Sequence, residues 1–468
     1  MPTDSTTRLH SSFRDPAGFL FHANGTLYRQ INLAGQAVYD QLMASGLYQQ
    51  LVDKGWIIAH EEVDGPVQDK ANCYRIIRPQ PVPFISYPYE LSFGQLKTAA
   101  LHTLDIQLAA VERGMILKDA SAYNIQFFQG RPVFIDTLSF DAYKEGQIWE
   151  GYRQFCQHFL APLCLMARRD IRLNLLSRVH IDGIPLDLAS KLLPRTTWLK
   201  PGILMHLHLH ARAQLRYAGS EESATAGKRV ARPLSKLGLI GIISSLRGLI
   251  KSLKWCPAGT EWADYYQATN YTDAAFAAKS RYIQQFLEDI QPAQVWDLGA
   301  NTGHFSRLAA ERGIPTVAFD IDPAAVEINY RQVCAEKETN ILPLVMDLTN
   351  PSTALGWAGM ERESLIERGP ADCFMALALI QHLAIANNVP LEQTAEFFAR
   401  VSRNLIIEFV PKSDSQVRRL LSSRKDIFPD YHEAGFEQAF AHRFEICKSH
   451  QVDGSKRTLY WLKLRQEV

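Results

Sequence analysis

The chain has no cysteine pair at C-x-x-C spacing, no surplus of either charge, no apolar run of membrane length and no internal repeat. Each absence narrows the field. The seven cysteines (Cys73, Cys156, Cys164, Cys256, Cys334, Cys373 and Cys447) are scattered and odd in number, which suits reduced packing thiols better than a disulfide frame or zinc site. Fifty Lys and Arg against forty-nine Asp and Glu leave a net charge of +1, so nucleic acid is not the expected partner. Met1 to Arg14 lacks the charged-then-apolar order of a signal peptide, and a cytoplasmic location is expected. In the apolar stretch 233–255, Lys236 and Arg247 bracket only ten uncharged residues. That is about half of the ~20 residues that a spanning helix needs. The stretch reads first as a helix docked on the protein. With Lys236, Arg247, Lys251 and Lys254 on a basic face, peripheral membrane contact is the second reading.

What is present is length and alternation. A chain of 468 residues exceeds one ordinary core, and the breakers divide it into three zones. Residues 16–215 are mixed α and β, and residues 216–256 are a linker that opens on the small, polar run Gly219 to Gly227 and holds an amphipathic helix. Residues 257–468 form an α/β domain. In this last zone a helix over Asp273 to Asp289 precedes strands near 295–298, 316–320, 342–346, 372–378 and 404–410, with helical stretches between them. Such alternation predicts a parallel sheet. The runs Arg443 to Lys448 and Thr458 to Leu464, separated by Asp453-Gly454-Ser455, predict a closing hairpin.

The first of these strands, Val295-Trp296-Asp297-Leu298, runs through Gly299-Ala300-Asn301-Thr302-Gly303 into a helix that starts at His304. Two glycines let the backbone approach a ligand lying across the strand end. Asp320 ends the second strand 23 positions beyond Asp297, where a carboxylate can accept both hydroxyls of a ribose, and Asp347 follows the third. The G-x-x-x-G spacing disfavours a dinucleotide, whose loop reads G-x-G-x-x-G. Asp322 before Pro323 reads as a helix N-cap.

Val295 to Phe305, Phe319 to Pro323 and Asp372 to Leu383 together resemble the successive motifs of class I S-adenosylmethionine-dependent methyltransferases, a Rossmann-like fold. The resemblance covers roughly the last 200 residues. It implies S-adenosylmethionine as cofactor, with Asp297, Gly299, Ala300, Asn301 and Gly303 facing its methionine part, Asp320 the ribose, and Asp347 with Leu348 the adenine. His382, after the fourth strand, reads either as a general base or as a packing residue at a helix start. Glu408, at the end of the fifth strand, either lines the acceptor pocket or caps a helix. Tyr265, Tyr266 and Tyr271 lie in a region that often folds over the cofactor in this superfamily.

The first zone carries its own spacing. Asp119, Asn124 and Asp136 resemble the catalytic and metal-binding positions of protein kinases and aminoglycoside-type phosphotransferases. In that resemblance Asp119 would orient or deprotonate the acceptor hydroxyl, and Asn124 with Asp136 would hold the magnesium of Mg-ATP against its phosphates. Gly94 to Arg113 and the strand-like Val82 to Tyr87 fall where the following helix and hinge would lie. No glycine-rich loop opens the domain, however, and Arg29 is the only cation on the early strand Leu27 to Ile31. A degenerate α+β kinase-like domain that binds substrate or partner is therefore expected, with active phosphotransfer or a noncatalytic scaffold as alternatives. His206, His208 and His210 would share one face of a strand as a metal set, whereas on a helix only His206 and His210 would meet; a merely polar face is the simpler reading and no metal is expected.

Together with Tyr87 to Phe93, this layout resembles bacterial nodulation-protein-type methyltransferases. The acceptor is expected to be a small molecule, a glycan or a lipid-linked compound.

Overall fold

The computed structural model describes residues 6–213, 234–257, 273–422 and 424–466. They form two units. The first comprises Met1–Cys256 with Leu355–Arg362, and the second comprises Pro257–Ala354 with Glu363–Val468. The described helix of the expected 216–256 linker thus belongs to the first unit.

In the first unit, β1 (Thr6–Arg8), β2 (Gly18–Ala23), β3 (Thr26–Asn32), β4 (His60–Glu62) and β5 (Cys73–Pro79) build an antiparallel sheet of order β1-β2-β3-β5-β4. The helix Phe93–Glu112 follows. Its start is set by a capping box in which the Ser92 hydroxyl accepts the Gln95 amide and the Gln95 side chain accepts the Ser92 amide. Apolar residues on most of its faces are buried, so it forms the spine of the unit. Then come β6 (Met115–Leu117), β7 (Ile125–Phe128), β8 (Arg131–Phe134) and β9 (Phe140–Ala142), paired β6 with β9 and β7 with β8, and a run of helices. This is a mixed α+β arrangement.

Two details differ from the sequence expectations. Val82 to Tyr87 forms no strand, because Pro81 and Pro83 have no amide to donate and the Ser86 amide is taken by the Gln126 side chain at 2.8 Å. The three histidines occupy a π-helical turn, Leu204–Leu209, and its end, not a strand. His206 bonds to Tyr152 and Ser245 at 2.8 Å each, while His208 bonds to Ser190 at 2.7 Å and Thr197 at 2.9 Å. His206 and His208 are satisfied buried side chains.

The helix Lys236–Ser252 buries Leu239, Ile243, Leu246 and Ile250 within the first unit, packing on the helix Phe93–Glu112. Arg247 pairs with Asp105 at 2.7 Å, and Lys97 donates to the carbonyls of Lys251 and Leu253 at the helix end. The apolar stripe that a membrane-surface helix would offer is used internally. No helix among the described residues is long and apolar enough to cross a membrane.

The second unit is a seven-stranded sheet of order β12-β11-β10-β13-β14-β16-β15. Its strands are β10 (Val295–Leu298), β11 (Thr316–Asp320), β12 (Ile341–Val345), β13 (Ala371–Ala376), β14 (Ser402–Phe409), β15 (Phe444–Gln451) and β16 (Thr458–Leu464). The first five pair in parallel, and β16 runs antiparallel to β14 and β15. In β10 and β11 every residue is buried, as expected of parallel strands covered on both faces. The order reverses between β10 and β13, and the crevice at the carboxyl end of that switch is where an open α/β sheet binds ligands. This strand order with its antiparallel closing hairpin is the class I methyltransferase fold.

Candidate functional site

Parallel pairing sets three acids side by side. Asp297 lies opposite Ala318, Asp320 lies opposite Val345, and the Met346 amide donates to the Asp320 carbonyl at 2.8 Å, so Asp347 follows at the next strand end. Adjacent strands are about 4.8 Å apart, so the acids mark successive stations along one edge.

The loop after β10 has three left-handed residues: Gly299 (φ 76°), Asn301 (φ 51°) and Gly303 (φ 81°). At Gly303 a side chain is excluded twice, by that φ and because a Cβ would lie 2.4 Å from Nδ2 of the buried Asn329. The helix His304–Ala310 begins directly beneath.

Asp297 is 1% exposed, and the Ser306 hydroxyl donates to its Oδ2 at 2.6 Å. Burial pushes its carboxyl up to about 7, against the opposing pull of Ser306 and Lys279. Asp320 accepts the Asn301 amide on Oδ2 at 2.7 Å and the Asp322 amide on Oδ1 at 2.8 Å. Burial lifts it to about 6 despite those two bonds. Asp347 is half-buried and closes a turn by accepting the Thr349 amide at 2.8 Å and hydroxyl at 2.6 Å; Leu348 beside it is also half-buried. Asp322 caps the helix Pro323–Glu336 by accepting the Ala324 amide at 2.8 Å.

His382 opens a π-helical turn, His382–Ala386, beyond β13. Burial, reinforced by the Arg457 guanidinium, lowers its imidazole to about 4, so it is neutral near pH 7.

Glu408, near the end of β14, pairs with buried cations. It is fully buried in an ion network: Lys279 Nζ donates to Oε2 at 2.7 Å, Arg457 Nη1 stands 3.9 Å from Oε1, and Arg457 Nε donates to Asp414 at 2.8 Å. Lys279 also lies 4.5 Å from the centre of the Phe305 ring. Sequence reasoning passed over Lys279 and Arg457. A signal for Lys279 existed, because it shares the buried stripe of the helix Asp273–Ile290 with Ala275, Ile283 and Phe286, where a cation must find a buried partner. Tyr265, Tyr266 and Tyr271 lie outside the described residues.

S-adenosylmethionine fits this edge by donor set. A loop without side chains at Gly299 and Gly303, a buried carboxyl at Asp297 and a second at Asp320 match a ligand with an amino group and a ribose.

The first unit also gathers its trio. Asp119 follows β6 and accepts the Ser121 amide at 2.9 Å, and burial, then Asp136, raise its carboxyl above the usual range. Asn124 donates to the Ser139 hydroxyl at 3.3 Å, which donates to Asp136 at 2.5 Å. Arg29 on β3 pairs with the other oxygen of Asp136. Among the described residues no group of three or more His, Cys, Asp or Glu side chains is arranged to hold a metal ion.

No family model matches the chain. Among solved structures, the bifunctional kinase-methyltransferase WbdD aligns at TM-score 0.29 and 13% identity over 47% of this chain, which spans 46% of WbdD, about half its length. The magnesium protoporphyrin IX methyltransferase ChlM of Synechocystis PCC 6803, with bound SAH, aligns at TM-score 0.31 and 16% identity over 44% of this chain and 93% of that one. The N-methyltransferase NodS of Bradyrhizobium japonicum WM9 aligns at TM-score 0.30 and 9% identity over 42% and 98%. Scores this low leave the fold assignment resting on the strand order itself. The nodulation protein NoeA of Rhizobium meliloti (strain 1021) is 38% identical over 459 residues, 97% of this chain and 95% of NoeA. Identity of that extent, running through both units, means that the chain belongs to the NoeA family of nodulation proteins.

Proposed function

We propose that the second unit binds S-adenosylmethionine and transfers its methyl group to a small-molecule, glycan or lipid-linked acceptor, the first unit helping to bind substrate or partner. One observation carries the reading. Asp297, Asp320 and Asp347 stand at the ends of three adjacent parallel strands, beside a loop that three left-handed residues hold open.

Bound there, S-adenosylmethionine supplies a sulfonium methyl open to in-line attack. Asp297 offers a buried carboxyl to the amino group. After one backbone bond each, the two oxygens of Asp320 keep acceptor capacity for a pair of ribose hydroxyls. Asp347 and Leu348 border the adenine end. His382, neutral near pH 7, can take the proton that a hydroxyl acceptor gives up as its oxygen gains the methyl. An acceptor atom without a proton needs no such base.

Calorimetry with S-adenosylhomocysteine on wild type and Asp320→Ala tests the cofactor seat. Loss of charged hydrogen bonds worth about 1.5–3 kcal/mol predicts affinity weakened at least tenfold. Undiminished binding by the variant counts against this placement of the ribose. Labelled-methyl transfer onto fractionated cell extract then identifies the acceptor. For a hydroxyl acceptor, His382→Gln is expected to slow transfer by about 10²–10⁴ while cofactor affinity holds.

A further inference from the structure

The resemblance of Asp119, Asn124 and Asp136 to a kinase trio implies magnesium and a nucleotide, and Asp136 is where that implication meets the fold. One oxygen of Asp136 pairs with Arg29 Nη1 and accepts the Leu138 amide at 3.1 Å, while the other accepts the Ser139 hydroxyl at 2.5 Å. Burial alone would raise this carboxyl, yet Arg29, Ser139 and Leu138 together bring it below the ordinary carboxylate range. Its charge is already matched. Asn124, the other metal-side residue, gives its amide nitrogen to the Ser139 hydroxyl, and one oxygen of Asp119 accepts the Ser121 amide.

The cation is built in. Arg29 lies in the middle of β3, paired through the backbone with Leu20 on one side and Ile77 on the other, so the sheet fixes where its guanidinium emerges. Its side chain is 9% exposed, and its second terminal nitrogen stands 3.5 Å from Asp15. A permanently charged guanidinium held against Asp136 sets a positive charge where a divalent cation would have to bind that carboxylate.

We propose that Arg29 is a resident counter-ion occupying the electrostatic place of a divalent metal at Asp136, which makes the first unit a metal-independent binding module and not a magnesium-dependent phosphotransferase. The inference does not depend on the methyl-transfer reading of the second unit.

The test uses the full chain and manganese, a paramagnetic stand-in for magnesium, followed by water-proton relaxation with and without ATP. Wild type is expected to take up no manganese at this site, either alone or with ATP. Arg29→Gln exposes Asp136 beside Asp119 and is expected to bind manganese at least tenfold more tightly than wild type, with the gain abolished in Arg29→Gln/Asp136→Asn. Arg29→Lys, which keeps the charge, stays metal-free. Manganese-ATP binding by wild type that disappears in Asp136→Asn overturns the proposal, as does a folded Arg29→Gln chain that gains no metal. Should Arg29→Gln fail to fold, as judged by its thermal midpoint, the comparison of wild type with Asp136→Asn decides alone.

Discussion

Replacing Lys279 by Met keeps the volume and the apolar stem but removes the ammonium 2.7 Å from Glu408, in a pair 2% and 0% exposed. Breaking a buried pair from one side leaves an uncompensated charge, at a cost of about 3–5 kcal/mol. The Arg457 guanidinium, 3.9 Å from the other Glu408 oxygen, stays in place and moves the expectation to the lower end, about 3 kcal/mol. For a unit of about 200 residues each kcal/mol shifts the midpoint by about 2–4 °C, so a fall of about 6–12 °C is expected by scanning calorimetry. Lys279→Met/Glu408→Leu removes both charges and should recover most of the loss, because replacing a whole buried pair by apolar groups is often neutral or better. A single variant that loses under about 1 kcal/mol, or a double variant as unstable as the single, would refute the reasoning.

Burial raises Asp297 to about 7 and Asp320 to about 6, against 3.8 for the free group, so the folded empty chain holds protons that the unfolded chain releases. These groups should therefore make the empty protein less stable as pH rises from about 4 to 7, measured as urea midpoints across that window. On the proposed cofactor placement, binding favours the ionised carboxylates, so affinity for S-adenosylhomocysteine should strengthen over pH 6 to 7 and be accompanied by proton release, read calorimetrically in buffers of different ionisation enthalpy. Gly303→Ala places a side chain at φ 81° and a Cβ 2.4 Å from Asn329 Nδ2, so stability should fall by about 1–3 kcal/mol and cofactor affinity with it, measured by denaturant titration and calorimetry.

Much of the second unit was legible because its signals are local. A buried parallel strand reads as a continuous apolar run, so β10 and β11 could be bounded within a residue or so from Val295 and Thr316, and the turn at Gly454 placed the closing hairpin, although its first strand runs to Gln451 and not to Lys448. Val82 to Tyr87 misled because extended proline-rich chain and strand look alike in sequence, and only Gln126, 40 positions away, decides where the Ser86 amide bonds. The alternating histidines left strand and helix open, because period two suits one and the His206–His210 spacing the other; their partners Tyr152, Ser190, Thr197 and Ser245 come from other elements and favour a widened helix.

By itself, the sequence determined the order of elements in the second unit, the glycine loop, the three acids at strand ends and the kinase-like spacing of Asp119, Asn124 and Asp136, since each depends on backbone conformation and near neighbours. Only tertiary structure decided the partners of buried charge. Glu408 meets Lys279 across 129 positions and Asp136 meets Arg29 across 107, pairings that exist because desolvated ions must be matched wherever the fold brings opposite charge within reach.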